Sequence, residues 1–162
     1  MRPLHSIVAA FRGIFPRKET PIEARLSVVA LVAPGRDRDL LTQLAAEHRW
    51  TLQFAQTYGG ALQMLNAGDI PIMLCDRDMD ADWRDVIRTI AASIHPVYTI
   101  LISSVADDYL WTELVRWGGH DLLTTPLREA EVLRAMRLAW SYWNSSMKNP
   151  LRDKALAYRV QY

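Results

Sequence analysis

The stretch that decides the fold is residues 97–126, which read VYTILISSVADDYLWTELVRWGGHDLLTTP. An apolar run of strand length, Val97 to Ile102, opens it, and a segment of helical period follows from about Asp107 to Trp117. Two glycines then end the helix, and a second, shorter strand is predicted near Asp121 to Leu123. A strand, a helix and a further strand in immediate succession are typical of a parallel sheet covered by helices.

The same alternation continues on both sides of this stretch. Upstream, strands are predicted at Leu26 to Val32, near Thr51 to Gln56 and at Ile70 to Cys75. A helical segment follows each of them, and Pro126 opens a last helix that is predicted to reach about Trp143. Five strand and helix pairs in strict order predict an α/β fold, a doubly wound five-stranded parallel sheet with helices on both faces.

The composition fits one globular domain with short extensions. Of the 162 residues, 50% are apolar and 23% are charged, as in folded proteins and unlike disordered ones. The formal net charge is only +1, so the chain as a whole has no attraction to nucleic acid, and no specific nucleic-acid binding is expected. We divide the chain into an N-terminal extension (1–25), a domain (26–143) and a C-terminal tail (144–162).

The single cysteine and the lengths of the apolar runs bear on the compartment. Cys75 is alone, so no intrachain disulfide can form, and a reducing environment is expected. No segment approaches the roughly 18 consecutive apolar residues of a membrane span. The sequence therefore predicts a cytoplasmic protein.

Three stretches together resemble the receiver domain of bacterial response regulators. Residues 72–76, Ile-Met-Leu-Cys-Asp, resemble the receiver strand whose last residue, an aspartate, accepts a phosphoryl group. Gly60 to Leu62 resemble the start of the receiver's second helix, and residues 97–126 resemble its fourth strand, fourth helix and fifth strand. The resemblance covers about residues 26 to 143. It implies a flavodoxin-like fold and a role in two-component, phosphorelay signal transduction.

The resemblance also assigns the positions that aspartyl phosphorylation uses in the family. Carried over residue by residue, the phosphoacceptor is Asp76 and the switch hydroxyl is Ser103. The two acids that hold a metal ion in the family fall on Ala33 and Pro34, and neither residue can ligate a hard cation. The family's lysine falls on Thr125, whose neutral hydroxyl cannot form an ion pair.

One further family position concerns conformational switching. The aromatic residue that changes position in the family falls on Leu122. Together with the missing acids and the missing lysine, this loss implies a degenerate receiver, or pseudo-receiver, for which no cofactor is expected.

Displaced acids offer one way to rebuild a magnesium site. Asp37, Asp78 and Asp80 lie in the segments that follow the first and third strands, and Mg²⁺ prefers carboxylate oxygens. The alternative, which we favour, is that these acids are solvated loop residues and helix caps. In that case Asp80 or Asp82 caps the third helix.

Three functional hypotheses follow. The main one is a stand-alone, atypical receiver-like module that is not an enzyme and acts by protein–protein interaction, with Asp76 hydrogen-bonded to Ser103 and loop amides. The alternative is a phosphorylatable response regulator with Asp76 as acceptor. A second alternative is a small-molecule-sensing domain, because doubly wound folds bind ligands at the carboxyl edge of the sheet.

The N-terminal extension is basic and amphipathic. Residues 1–25 carry five basic and two acidic residues, a net charge of +3, and apolar residues that include Leu4, Phe11 and Phe15 recur at helical spacing. We expect this helix to pack on its own domain or to dock on a partner. Peripheral contact with an anionic membrane surface ranks third.

Aromatic residues on the last two helices predict a partner surface. The interface candidates are Tyr109, Trp111, Trp117, Trp140 and Trp143. Aromatic side chains are preferred anchors at interfaces, so we expect either a homodimer or a complex with another signalling protein. The tail, residues 144–162, mixes basic and aromatic residues and is expected to become ordered on a partner.

Overall fold

The structure is a computed structural model that describes residues 26–79, 82–93 and 95–148, with the backbone alone at residues 147 and 148. The predicted N-terminal amphipathic helix within residues 1–25 lies outside the described residues, as does the tail from residue 149 onward.

Within the described residues, five strands form one parallel sheet in the order β2-β1-β3-β4-β5. The strands are β1 (Ser27–Leu31), β2 (Thr51–Phe54), β3 (Ile72–Asp76), β4 (Tyr98–Ser103) and β5 (Asp121–Thr124). The helices that follow them are α1 (Arg36–His48), α2 (Tyr58–Ala67), α3 (Trp83–Ala91), α4 (Asp108–Arg116) and α5 (Glu129–Lys148). The predicted doubly wound, five-stranded parallel sheet is confirmed.

Both faces of the sheet are buried, and each has its own core. In β1, Val28 and Ala30 point into the core formed with α1 and α5, whereas Val29 and Leu31 point into the core formed with α2, α3 and α4. Strands that are covered on both faces read as continuous apolar runs, which is why β1, β3 and β4 are conspicuous in the sequence. Burying a valine, leucine or isoleucine side chain contributes about 1.5–3 kcal/mol. Most residues of these strands are therefore apolar, and their polar residues lie at or next to the strand ends.

Side-chain caps fix where three of the helices begin. The Thr57 hydroxyl accepts a hydrogen bond from the Gly60 amide at 3.0 Å at the start of α2. The Asp82 carboxylate accepts a hydrogen bond from the Arg84 amide at 3.0 Å and caps α3. Of the two predicted caps for this helix, Asp80 and Asp82, the structure shows Asp82 in this role. Asp107 caps α4 in the same way. Each cap satisfies an amide that the helix itself leaves without a partner.

The last helix differs from its prediction at both ends. α5 begins at Glu129 and not at Pro126, because residues 126–128 form the connection from β5. It continues to Lys148, past the predicted end near Trp143, because the sequence contains no glycine or proline until Pro150. The described part of the chain includes no helix that is both long and apolar enough to cross a membrane.

An aromatic cluster closes the amino edge of the sheet beneath α5. The Tyr98 ring stacks on His120 at a centroid distance of 4.8 Å and meets the edge of Tyr142 at 5.4 Å. Burial, together with the nearby Asp121 carboxylate, raises the pKa of Tyr98 to about 12. Asp121 is itself within 3.5 Å of Arg134. Tyr142, on the last helix, therefore contributes to packing within the domain.

Two glycine substitutions test the fold at matched sites. Gly118 has φ +96°, and a Cβ there would lie 2.7 Å from the Cβ of Ala91. We expect Gly118→Ala to lower the free energy of unfolding by about 2 kcal/mol or more, from backbone strain and overpacking. Gly59→Ala is the control, because a Cβ at that helical position meets nothing within 4 Å. It should leave stability unchanged or raise it by up to about 1 kcal/mol. Urea unfolding measures both, and equal losses would contradict the geometry.

Candidate functional site

The strands bring three of the predicted site residues to the carboxyl edge of the sheet. Asp76 is the last residue of β3, Ser103 is the last residue of β4, and Thr125 directly follows β5. In the ladders, Asp76 lies beside Ile102, and Ser103 lies beside Thr124. Because parallel strands all end at the same edge, the side chains of Asp76 and Ser103 and the β5–α5 connection share one region.

The Asp76 carboxylate organises the loop that follows it. Its Oδ1 accepts a hydrogen bond from the backbone amide of Asp78 at 3.0 Å, and its backbone carbonyl accepts one from the Met79 amide at 3.4 Å. The side chain is half-buried. A carboxylate that accepts an amide two residues ahead forms an Asx turn, so Asp76 takes the loop-amide hydrogen bond that the main hypothesis expects.

Ser103 is held by groups other than Asp76. The side chain is only 1% exposed, and its Oγ accepts a hydrogen bond from the Val105 amide at 3.1 Å. A second, long contact of 3.5 Å comes from the Arg77 guanidinium. Among the described residues, these two groups take the place of the expected bond between Ser103 and Asp76. Sequence reasoning missed Arg77, although a cation directly after the acceptor position was visible in the sequence.

Thr125 binds one of the displaced acids. Its hydroxyl donates a short hydrogen bond to Oδ2 of Asp37, a residue in the first turn of α1. Oδ1 of Asp37 accepts the backbone amide of Leu127 at 2.8 Å, and the Thr125 amide donates to the Ser103 carbonyl at 3.0 Å. Both oxygens of the Asp37 carboxylate therefore accept a hydrogen bond from the β5–α5 connection. We call this arrangement the Asp37 bridge.

The remaining predicted positions lie nearby. Ala33 and Pro34 are exposed in the connection from β1 to α1, where their side chains offer no oxygen ligand. Leu122 packs against the core formed with α2, α3 and α4. Asp78 is exposed, and Asp80 lies outside the described residues. In the described ranges, no three His, Cys, Asp or Glu side chains are grouped so that they could hold a metal ion.

The interface candidates separate into exposed and packed residues. On α4, Tyr109 is 70% exposed and Trp111 is 42% exposed. Trp117 and Trp140 are instead half-buried and pack against the two cores, and Trp143 lies 5.5 Å from Trp140, ring to ring. Trp117 and Trp140, which the sequence predicts as interface residues, therefore contribute to packing within the domain. Leu4, Phe11 and Phe15 lie outside the described residues.

Sequence reasoning missed two other exposed apolar side chains. Val105 lies just before α4 and Val115 lies on it, and each is about half exposed. The sequence contained a signal for Val115. It follows Leu114 by one position and Leu110 by five, and residues at these spacings turn away from the helix face on which the two buried leucines lie.

The Asp37 bridge makes a stability prediction with a matched control. Asp37→Ala should lower the free energy of unfolding by about 1–3 kcal/mol, because it leaves the Thr125 hydroxyl and the Leu127 amide without their acceptor. Asp39 lies in the same first turn of α1 and is exposed, so Asp39→Ala removes the same favourable charge near the helix start without breaking the bridge. Asp39→Ala should lower the free energy of unfolding by only about a few tenths of a kcal/mol. Urea unfolding measures both variants, and equal losses would contradict the bridge.

The buried thiol makes a second prediction. Burial raises the pKa of Cys75 to about 12, and the neighbouring Asp76 charge adds to the effect. The thiolate fraction at pH 8 is then about one in ten thousand, so the native protein should resist a thiol reagent that labels the unfolded chain at once.

Because the pKa of Cys75 is higher in the folded state, the associated stability is present below pH 9 and is lost as the pH rises toward 12. Native labelling at the unfolded rate would contradict this burial.

The sequence comparisons found no relative. No protein-family model matches the chain, and no curated protein matches it by sequence.

Solved structures, in contrast, are similar to it throughout the domain. A signal receiver domain of an HD-domain-containing protein from Pseudomonas fluorescens has a TM-score of 0.70 and 21% identity, covering 78% of this chain and 94% of that chain. A response regulator from Thermotoga maritima has a TM-score of 0.63 and 19% identity, with coverage of 72% and 98%. The receiver domain of a response regulator from Saccharomyces cerevisiae, crystallised with a histidine phosphotransfer protein, has a TM-score of 0.60 and 14% identity, with coverage of 76% and 91%. The chain therefore has the fold of a response-regulator receiver domain.

Proposed function

We propose that the chain is a receiver-like signalling module of the bacterial cytoplasm that acts by contact with another protein and does not use metal-dependent aspartyl phosphorylation. The observation that carries this proposal is the Asp37 bridge. The acid closest in sequence to the lost metal-binding positions is hydrogen-bonded to Thr125 and Leu127 in the β5–α5 connection.

Phosphorylation of an aspartate has a definite chemical requirement. A carboxylate attacks a phosphoryl donor efficiently only when a cation neutralises the charge that develops on the phosphoryl oxygens. A magnesium ion at Asp76 would need further protein oxygens, and Ala33 and Pro34 supply none. Turning Asp37 toward Asp76 would leave two donors without their acceptor, at a cost of about 1–3 kcal/mol.

The switch positions support the same proposal. The Ser103 hydroxyl is buried and already accepts the Val105 amide, so the β4–α4 connection is held without a phosphoryl group. Leu122 has no ring hydroxyl or aromatic face to exchange between two environments, and it packs against a core. Signalling by this chain then depends on the surface that it presents to a partner protein and on the protein or segment that covers this surface.

The surface that we propose for a protein partner lies on α4. Leu110 and Leu114 point into the core, and Glu113 faces α3 through a 3.4 Å ion pair with Arg84. Trp111 and Val115 are turned to the opposite flank of the helix, which is the flank nearer to the edge strand β5. An exposed tryptophan beside a branched apolar residue is typical of an interface anchor. The yeast receiver domain that this chain resembles in fold was crystallised with a partner protein.

Intact-protein mass spectrometry tests the proposal. The protein is incubated with acetyl phosphate, with and without Mg²⁺, as the wild type and as Asp76→Asn and Asp78→Asn. We expect no magnesium-dependent phosphoryl adduct in any of them, because the edge lacks the oxygens that would hold the cation. Asp78→Asn is included because Asp78 is exposed in the same loop and is one of the displaced acids that could hold the cation.

The second candidate function is a phosphorylatable receiver with Asp76 as acceptor. One observation favours it: Arg77 places a cation 3.5 Å from Ser103, at the edge where the phosphoryl group would lie. A stoichiometric adduct that requires Mg²⁺ and disappears in Asp76→Asn would establish this function and overturn the main proposal. Its loss in Asp78→Asn as well would assign Asp78 to the cation site, and its persistence there would exclude Asp78 from that site.

A further inference from the structure

One line of α4 combines exposed apolar side chains with an acid. Asp108, Trp111 and Val115 have the spacing i, i+3 and i+7, which places them on a single line along the helix. All three are exposed, with Trp111 at 42% and Val115 at 49%. We call these three residues the α4 stripe. The Asp108 side chain takes part in no hydrogen bond or ion pair with the residues that the structure describes.

The first eighteen residues of the chain have the complementary chemistry. They carry four basic residues and no acid: Arg2, Arg12, Arg17 and Lys18. Their apolar residues recur at helical spacing and include Leu4, Phe11 and Phe15. This segment lies outside the described residues, so the inference uses its sequence alone. A basic segment with one apolar face matches an apolar stripe that begins with a carboxylate.

The connecting chain is long enough for this contact. The strand β1 begins at the amino edge of the sheet, and α4 ends at the same edge because it runs antiparallel to the strands. Three strand spacings separate β1 from β5, roughly 14 Å, and the helix layer adds roughly 10 Å at right angles. The direct distance is therefore about 17 Å. Residues 19–26 can span about 26 Å when extended.

We propose that residues 1–18 dock on the α4 stripe of their own chain. Their apolar face covers Trp111 and Val115, and a basic side chain lies beside Asp108. This inference rests on the proposed function, since it names what occupies the proposed partner surface when no partner is bound. A partner must then displace the segment, so its apparent Kd equals the intrinsic Kd divided by the fraction of molecules in which the stripe is uncovered.

Disulfide trapping tests this contact in the full-length chain. Cys75 is buried and inert, so cysteines introduced in pairs are the reactive thiols. Phe11→Cys with Val115→Cys should form an intrachain disulfide under mild oxidation, because docking gives the two thiols a high effective concentration. The control pair is Phe11→Cys with Gln63→Cys, an exposed position on α2. The first pair should react about tenfold faster than the control.

A charge variant separates docking from random encounter. Asp108→Asn in the first pair should slow the reaction several-fold at low salt, and about 0.5 M salt should slow the unmodified pair to a similar degree, because exposed ion pairs are screened. Asp39→Asn, in the first turn of α1, should leave the rate unchanged.

Three results would overturn the inference. They are equal rates for the two cysteine pairs, an interchain disulfide whose yield rises with protein concentration, and binding to anionic lipid vesicles without any disulfide. None of them bears on Asp76, so a failure here is distinguishable from a failure of the proposed function, which the phosphodonor experiment tests separately.

Discussion

The carboxylate of Asp37 is the constraint on which the rest of the carboxyl edge depends. It lies in the first turn of α1 and accepts hydrogen bonds from Thr125 and Leu127, which precede α5. Both helices pack on the same face of the sheet, so one side chain fixes their starting points relative to each other. Hydrogen bonds to a charged group contribute about 1.5–3 kcal/mol, which is a sizeable part of the roughly 5–15 kcal/mol by which a domain is stable.

With Asp37 engaged, the polar groups of this edge are satisfied in three separate sets. Asp76 accepts the Asp78 amide, Ser103 accepts the Val105 amide, and Asp37 accepts its two donors across the sheet. Each set is formed by groups of the chain itself, and none requires an ion or a phosphoryl group for its hydrogen bonding. A shared fold does not imply a shared reaction, because the reaction depends on side chains at the strand ends. Here the receiver fold is complete, and the side chains at its edge form hydrogen bonds within the chain.

The sequence predicted the fold well because the central strands are buried on both faces. Ile72–Asp76 and Tyr98–Ser103 stand out as apolar runs ended by polar residues, and hydrogen-bonding side chains mark the helix starts. The end of α5 was wrong by several residues, because no helix breaker occurs near Trp143. The placement of Asp76 and Ser103 followed from strand order alone.

The partners of the site residues could not be predicted in the same way. Thr125 and Asp37 are 88 positions apart, and their hydrogen bond depends on how two loops meet in three dimensions. The long contact from Arg77 to Ser103 depends on a side-chain conformation that no periodicity encodes. The partial burial of Trp140 could not be predicted either. It follows from the way α5 packs beside the sheet and not from the position of Trp140 along the helix alone.

A magnesium titration followed by amide NMR tests the central claim most directly. The informative amides are those of residues 76–78, 103–105 and 125–127, and a sodium chloride titration at equal ionic strength is the control. If the edge is satisfied from within the chain, these amides should show no saturable shift with Mg²⁺ that sodium chloride does not also cause. A saturable shift centred on Asp76 and Asp78, accompanied by movement of the Leu127 amide as Asp37 leaves the bridge, would contradict the account.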